Sequence, residues 1–221
     1  MRRDLAIADE PVVGVSFRRS LGAAVVGALL LMTPACSSGP EGGLTLLGDS
    51  ITMLIGGATE AKLAGYTSTR VKALWGARID EQLAEAADIA KRRPDQVIVN
   101  LGTNNILQDR PLDASIAEYR QILDAFSDLH CVGVITINEH ISQLGVDRSA
   151  AAIEFNAALR ALAADYPNTT VTEWSSIFVF PQDQVLLDSD TVHPLPDGVE
   201  RLASTYEAIA RACEVPEPSS D

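Results

Sequence analysis

The sequence has little cysteine and little positive charge, and both shortages exclude classes of protein. Only three of its 221 residues are cysteine, which is too few for a disulfide-based scaffold. Seventeen Lys and Arg residues stand against 30 Asp and Glu residues, and the net charge of −13 repels the phosphates of nucleic acids and anionic lipids. The 47% share of hydrophobic residues is typical of one globular domain, and we expect no nucleic-acid partner.

The motifs of metal and cofactor sites are also absent from the sequence. Neither His-x-x-x-His nor Cys-x-x-Cys spacing occurs, and the adjacent Glu139 and His140 are a lone pair of potential ligands. A glycine-rich phosphate loop and a dinucleotide-binding fingerprint are missing as well. We therefore expect an activity that needs no metal ion and no cofactor.

An apolar segment near the N-terminus has the organisation of an export signal. Arg18 and Arg19 precede the uncharged residues 21–32, and small residues follow them. A basic region, an apolar region and a small-residue cleavage site make up a signal peptide. The apolar segment is shorter than the roughly 18 residues that a membrane-spanning helix needs. We predict a signal peptide over residues 1–35 and an exported protein.

Cys36 lies at the predicted cleavage site. Residues 36–43 are rich in Ser, Gly and Pro and are similar to the flexible tether behind the lipidated cysteine of bacterial lipoproteins. Ala35 fits such a lipidation signal, whereas Thr33 and Pro34 do not, and two alternatives remain open. Either Cys36 carries a lipid that tethers the protein to a membrane, or ordinary cleavage releases a fully secreted protein.

Short apolar runs alternate with amphipathic segments along the rest of the chain. The apolar runs predict buried strands over 44–47, 96–101 and 131–137, with weaker strands around 66–74 and 169–171. Apolar residues at three- and four-residue spacing predict helices over 77–93, 113–129, 149–164 and 198–213. This alternation predicts an α/β domain over residues 44–214, with three α/β/α layers around a parallel five-stranded sheet, followed by a disordered tail over 215–221.

Three polar motifs follow predicted strands or precede a predicted helix. They are Gly48-Asp49-Ser50-Ile51, Gly102-Thr103-Asn104-Asn105 and Asp190-Thr191-Val192-His193. Any one of them has a structural explanation, since Asp49 or Ser50 can cap a helix and a lone histidine usually lies on the surface. In parallel sheets, however, sites form at the carboxyl ends of strands. Their combination therefore predicts one site at that edge of the sheet.

Ser50, His193 and Asp190 are the residue types of a serine nucleophile with its base. A serine hydroxyl needs a base within hydrogen-bond reach and a third group that holds the base in the correct tautomer. Asp190 lies three residues before His193, near enough to contact its ring. Of the other histidines, His130 ends a predicted helix away from the site and His140 lies after the fourth strand, where it can line a cleft. We expect His193 to be the base.

These motifs resemble those of the SGNH, or GDSL-type, esterase and lipase family, over about residues 44–213. The family's glycine block falls on Gly76, and Asn105 stands where the family commonly has aspartate. The resemblance implies a flavodoxin-like SGNH hydrolase fold and a serine hydrolase that cleaves carboxylic esters. It also implies an oxyanion hole made by the backbone N–H groups of Ser50 and Gly76 and the side-chain amide of Asn104.

The substrate is expected to be a small-molecule or carbohydrate ester. Loops 138–147 and 175–187, with Trp174, Phe178 and Phe180, are expected to shape a short apolar cleft that suits small acyl groups. No insertion has the size of a lipase lid. The family also includes thioesterases, lysophospholipases and acyltransferases, and a non-catalytic surface binding protein with this fold is a further alternative. We expect the protein to be a monomer.

The remaining cysteines, Cys131 and Cys213, are an even pair if Cys36 is lipidated, and an exported protein meets an oxidising setting. The predicted helix over 198–213 begins near His193 at the carboxyl edge of the sheet and runs back to the opposite edge, where Cys131 begins its strand. We therefore hypothesise a disulfide between Cys131 and Cys213. This topology also places Cys131 on the wrong edge for a catalytic nucleophile.

Overall fold

A computed structural model describes residues 43–213 of the chain. In this range the strands are β1 (Leu44–Gly48), β2 (Thr69–Ala73), β3 (Gln96–Asn100), β4 (Cys131–Ile135), β5 (Ser142–Gln143), β6 (Val146–Asp147) and β7 (Thr169–Thr172). β5 and β6 form a short antiparallel hairpin, and the other five strands form a parallel sheet in the order β2-β1-β3-β4-β7. The predicted signal peptide, Cys36 with most of the tether, and the predicted tail lie outside the described residues.

Helices cover both faces of the parallel sheet. They are α1 (Ser50–Lys62), α2 (Leu83–Arg92), α3 (Thr103–Leu107), α4 (Leu112–Ala125), α5 (Ser149–Ala163), α6 (Trp174–Ile177) and α7 (Pro196–Ala212), with 3-10 turns over Asp80–Gln82 and Gln182–Leu186. α1 packs against α7, and α4 packs against both α2 and α5. The predicted α/β/α layers and five-stranded parallel sheet are confirmed. No helix within residues 43–213 is long and apolar enough to cross a membrane.

The strength of the sequence signal follows the position of each strand in the sheet. β1 and β3 are central, and every residue in them is buried. A parallel strand that is covered on both faces needs a nearly continuous apolar run, which is easy to recognise. β2 and β7 lie at the edges, where their residues are mostly half-buried and can be polar. Their weaker pattern is therefore a consequence of edge position.

The sequence pattern does not indicate α1, which begins at Ser50. Met53 and Leu54 are apolar but 43% and 40% exposed, and they obscure the division into a buried and a polar face. Gly56 also lowers the intrinsic preference for a helix. The structure gives a reason for this glycine, because a Cβ atom there would lie 2.8 Å from Cγ2 of Val71. α1 thus needs a residue without a side chain to approach β2 closely.

The order of the strands creates a crevice at the carboxyl edge of the sheet. The chain passes from β1 to β2 on one side and then to β3 on the other side of β1. Ligand sites in open α/β sheets lie at such a reversal, outside the carboxyl ends of the strands. Ser50 follows β1, Gly76 follows β2 and Asn104 follows β3. The topology therefore gathers residues from distant parts of the sequence around one point.

A disulfide lies at the opposite edge of the sheet. Cys131 begins β4, Cys213 follows the last residue of α7, and their Sγ atoms are bonded across a sequence separation of 82 residues. The Cα atoms are 6.1 Å apart, which is within the usual range for a disulfide. In the chain-entropy model, a cross-link over a loop of this length stabilises the fold by about 4.5 kcal/mol. The bond holds the end of α7 against the sheet.

Candidate active site

Ser50, His193 and Asp190 form a continuous chain of hydrogen bonds at the crevice. Ser50 Oγ lies 2.9 Å from His193 Nε2, and His193 Nδ1 lies 2.5 Å from Asp190 Oδ2. With the ring proton on Nδ1 donated to the carboxylate, Nε2 is free to accept the serine proton. The three residues come from the start of α1 and from the loop before α7. Their arrangement can activate a serine for attack on a carbonyl carbon.

Asp190 is held in its ionised form by a ring of donors. Its Oδ1 accepts the backbone N–H groups of Val192 and His193 at 2.9 and 3.0 Å, while Oδ2 accepts the imidazole N–H. Partial burial acts to raise the pKa of Asp190, but these hydrogen bonds outweigh it and the pKa lies below its ordinary value. The carboxylate therefore remains charged at neutral pH and can stabilise an imidazolium.

Thr191 gives the loop an unusual backbone conformation. Its φ of +60° lies in the left-handed region, which costs a β-branched residue about 1–2 kcal/mol. The loop after β4 holds it there, because Asn138 Nδ2 donates to the Thr191 carbonyl and Ser142 N–H donates to Thr191 Oγ1, both at 2.8 Å. This role of Asn138 was not predicted from the sequence. Nothing in the motif indicates a left-handed threonine or its partners.

Asp49 links the start of α1 to Asn104. It is fully buried, its Oδ1 accepts the Ile51 N–H at 3.0 Å, and its Oδ2 accepts a proton of the Asn104 amide at 3.1 Å. Burial raises the pKa of Asp49 to about 7, against the opposing effects of the Ile51 N–H, the charge of His193 and the Asn104 amide. Asp49 therefore caps α1 and also orients the Asn104 amide. The sequence indicated the cap but not the second contact.

Gly76 lies in the turn after β2 with φ +71°, a left-handed conformation that favours glycine. A Cβ atom at this position would meet no protein atom within 4 Å, so the structure gives the backbone conformation as the reason for glycine. Gln108 Nε2 donates to the Gly76 carbonyl at 3.3 Å and helps to hold the turn.

Trp75, the residue before Gly76, was not predicted to take part in the site. Its indole ring stacks on the His193 ring with a centroid distance of 5.2 Å and an angle of 8° between the planes. The side chain is 59% exposed. The sequence offered no signal for this contact, because β2 and the loop before α7 are far apart along the chain.

Asn105 stands where the SGNH family commonly has aspartate, and both polar atoms of its side chain are hydrogen-bonded. Its Oδ1 accepts the Ile79 N–H at 3.0 Å, and its Nδ2 donates to Ser115 Oγ at 2.9 Å. The Ser115 hydroxyl already donates its proton to the Pro111 carbonyl. It can therefore only accept at the other side, which an amide satisfies and a carboxylate does not.

The two loops that were expected to form a cleft line a pocket of about 190 Å³. His140 and Phe180 stack there with centroids 3.9 Å apart, and Trp174 packs against Phe178 at 4.9 Å. An adjoining small cavity reaches Thr191. Neither cavity is lined by Ser50 or His193. A larger cavity of about 400 Å³ lies at the far edge of the sheet, beside Cys131 and Cys213, away from the motifs.

The described residues offer little for a metal ion. Within residues 43–213, the one cluster of three potential ligands is His130, Cys131 and Cys213, whose ligand atoms lie within 4.8 Å of one another. The disulfide already uses both sulfur atoms.

If the Asn104 amide is an oxyanion donor, as the family resemblance implies, removing its side chain is expected to lower kcat for ester hydrolysis by about 10²- to 10³-fold. KM should change less, because the hydrogen bond strengthens as negative charge develops. Asn104→Ala and Gln121→Ala, which removes an exposed amide on α4, can be compared by steady-state kinetics on p-nitrophenyl acetate. An effect confined to KM would contradict an oxyanion role for Asn104.

A parallel sheet with a serine–histidine–aspartate chain at its topological reversal defines the class of α/β serine hydrolases. Within that class the chain belongs to the GDSL-like lipase/acylhydrolase family, whose sequence model matches residues 46–201. The match covers the three motifs and the Gly76 turn. The resemblance found in the sequence is thereby confirmed. No curated protein sequence is similar enough to this chain to count as a match.

Solved structures share the fold at low sequence identity. The acetylxylan esterase Axe2 from Geobacillus stearothermophilus is 18% identical with a TM-score of 0.63, and the alignment covers 76% of this chain and 93% of that one. The C-terminal catalytic domain of peptidoglycan O-acetyltransferase A from Streptococcus pneumoniae is 19% identical with a TM-score of 0.63, covering 79% and 96%. A GDSL-like lipase from Bacteroides thetaiotaomicron has a TM-score of 0.64 at 14% identity, covering 76% and 88%.

Proposed function

We propose that this protein is an exported serine esterase that removes short acyl groups, above all acetyl groups, from neutral carbohydrate alcohols. The hydrogen-bonded chain Ser50–His193–Asp190 carries the proposal, since it supplies a nucleophile, a base and a group that orients the base. The similarity in fold to an acetylxylan esterase and to a peptidoglycan O-acetyltransferase supports an acetyl group on a carbohydrate.

The reaction begins with transfer of the Ser50 hydroxyl proton to His193 Nε2 while Oγ forms a bond to the carbonyl carbon. The carbonyl oxygen becomes an oxyanion, for which the N–H groups of Ser50 and Gly76 and the Asn104 amide are the donors. The intermediate then expels the alcohol, which takes the proton from His193. A water molecule attacks the acyl-enzyme in the same way, releases the carboxylic acid and restores the Ser50 hydroxyl.

The charges around the crevice favour a neutral alcohol over a phosphorylated one. Arg78, two residues after Gly76, donates to Asp80 at 2.9 Å and also pairs with Glu81. Three further arginines also pair with carboxylates: Arg110, after α3, with Glu118, Arg148, before α5, with Asp109, and Arg201, in α7, with Asp183. Because these arginines are paired and the net charge is −13, a phosphate group on the substrate gains little electrostatic attraction at the crevice. Lysophospholipids and CoA thioesters are therefore poorer candidates.

The proposal places the enzyme outside the cytoplasm, either free or tethered through Cys36. The Cys131–Cys213 disulfide supports this location, because such bonds persist in oxidising compartments. Incorporation of a labelled fatty acid into the protein, and its loss in Cys36→Ala, would establish the tether. An unlabelled protein in the culture medium would instead establish full secretion.

The proposed activity is tested on the purified protein with a fluorophosphonate probe and a substrate panel. The panel comprises p-nitrophenyl esters of increasing chain length, acetylated xylan, O-acetylated peptidoglycan, a lysophospholipid and an acyl-CoA. We expect labelling of Ser50, the fastest hydrolysis with acetyl esters, and little activity on the two phosphorylated substrates. Acetyl transfer to an added sugar in preference to water would identify an acyltransferase. Neither labelling nor hydrolysis would identify a binding protein that keeps the fold.

A further inference from the structure

Trp75 is an exposed indole beside the catalytic histidine. The other tryptophan, Trp174, is only 3% exposed, whereas 59% of Trp75 is exposed. Burying an aromatic ring of this size is worth several kcal/mol in general, so an indole left in solvent beside a reactive group is available for a ligand. Leu74 and Met53 at the same edge of the sheet are also 52% and 43% exposed. This edge presents apolar surface to whatever enters the site.

The indole is held in place by its surroundings. The Leu74 N–H donates to the Gly48 carbonyl at 3.2 Å, and the Ala77 N–H donates to the Leu74 carbonyl at 3.1 Å. These bonds tie the turn that carries Trp75 to the end of β1, directly before the Asp49–Ser50 pair. The indole ring itself lies parallel to the His193 ring. A ligand that meets Trp75 therefore meets a prearranged flat surface, which lowers the entropic cost of binding.

The position of the alcohol during the reaction follows from proton transfer. His193 Nε2 must deliver its proton to the oxygen of the leaving alcohol, so that oxygen lies about 3 Å from Nε2 in the reacting complex. The carbon skeleton of the alcohol then extends past the His193 ring. Trp75 stacks on that ring with nearly parallel planes and is still 59% exposed, so the part of the indole that His193 does not cover borders the ring that the alcohol must pass.

We infer that Trp75 is the platform on which the sugar ring of the alcohol stacks, and that it selects ring-shaped neutral alcohols over open-chain ones. The inference rests on the proposed esterase function and names the residue that determines its alcohol specificity. The face of an indole carries partial negative charge, and the axial C–H groups of a pyranose ring carry partial positive charge. Stacking of the two is favourable without any cation, in keeping with the paired arginines around the crevice.

The test compares two acetyl esters that share the acyl group and differ in the alcohol, a mono-acetylated methyl xyloside and ethyl acetate. Trp75→Leu keeps an apolar side chain but removes the ring, whereas Trp75→Phe keeps a ring. We expect Trp75→Leu to lower kcat/KM for the xyloside by about 30-fold, as for loss of an aromatic anchor, chiefly through KM. The kcat/KM of Trp75→Leu for ethyl acetate should fall by less than about threefold, and Trp75→Phe should recover most of the xyloside activity.

Ile153→Ala is the matched control, because it truncates a half-exposed apolar side chain on α5 and leaves the stack on His193 intact. The ratio of its kcat/KM values for the two esters should stay at the wild-type value. Equal losses of kcat/KM on both esters in Trp75→Leu would show that Trp75 only positions His193, and no loss on either ester would show that Trp75 has no role. Each of these results would overturn the inference. The proposed function would still stand, because it depends on hydrolysis by the wild-type protein. A wild-type protein inactive on both esters would overturn the proposed function and the inference with it.

Discussion

Replacing Ser50 with alanine is expected to lower kcat for ester hydrolysis by about a million-fold, the size of effect that loss of a serine nucleophile has in other serine hydrolases. The substitution removes the atom that forms the acyl-enzyme, and His193 then has no hydroxyl to deprotonate. The fold should be unaffected, because Asp49 rather than Ser50 caps α1 through its bond to the Ile51 N–H. Activity and stability are therefore expected to separate cleanly in this variant.

The measurement combines kcat on p-nitrophenyl acetate with the midpoint of thermal unfolding. Ser204→Ala is the matched control, since Ser204 is exposed on α7 and away from the crevice. It should match the wild-type protein in both quantities. Substantial hydrolysis by Ser50→Ala, at an unchanged unfolding midpoint, would mean that the nucleophile is another group.

Asp190→Asn is expected to lower kcat by about ten thousand-fold at neutral pH, as removal of the corresponding charge does in other catalytic triads. The amide oxygen can still accept the backbone N–H groups of Val192 and His193, so the loop should keep its shape. The amide nitrogen would then face His193 Nδ1 and donate a proton to it. The ring proton would move to Nε2, which could no longer accept the proton of Ser50.

Asp188→Asn provides the comparison for this variant. Asp188 lies two residues earlier in the same loop, and its side chain accepts from Ser189 rather than from His193. The Asp188→Asn substitution removes the same charge from the same loop without altering the tautomer of His193. We expect it to retain most of the wild-type kcat, and a similar loss in both variants would point to loop charge in place of tautomer control.

The predicted fold and the observed one agree best where burial forces a simple pattern. β1 and β3 were recognised because strands covered on both faces must be apolar throughout. α1 was not recognised, because its Met53 and Leu54 are apolar but exposed and obscure the helical pattern. The helix expected over 77–93 begins as a 3-10 turn, and α2 itself starts at Leu83. The predicted and observed helices therefore differ where apolar residues are exposed or where a turn precedes the helix.

The positions of the site residues were predictable to a lesser degree. The motifs around Ser50, Asn104 and His193 are local in sequence, and each follows a strand or precedes a helix, which makes them recognisable. The contact of Asp49 with Asn104 and the stack of Trp75 on His193 join residues 55 or more positions apart. Such contacts depend on which strands are neighbours in the sheet, and the periodicity of a single segment carries no information on that.

Of the three cysteines, Cys131 and Cys213 have specific positions in the structure, where they form the disulfide. By itself, the sequence determined an α/β domain, a serine–histidine–aspartate motif set and an even cysteine pair, because each of these depends on residue type and local spacing. Only the tertiary structure decided that Asp49 orients Asn104, that Asn138 holds a left-handed Thr191, and that an exposed Trp75 lies against His193. These contacts form between chain segments that the strand order brings together, so they exist only once the sheet has formed.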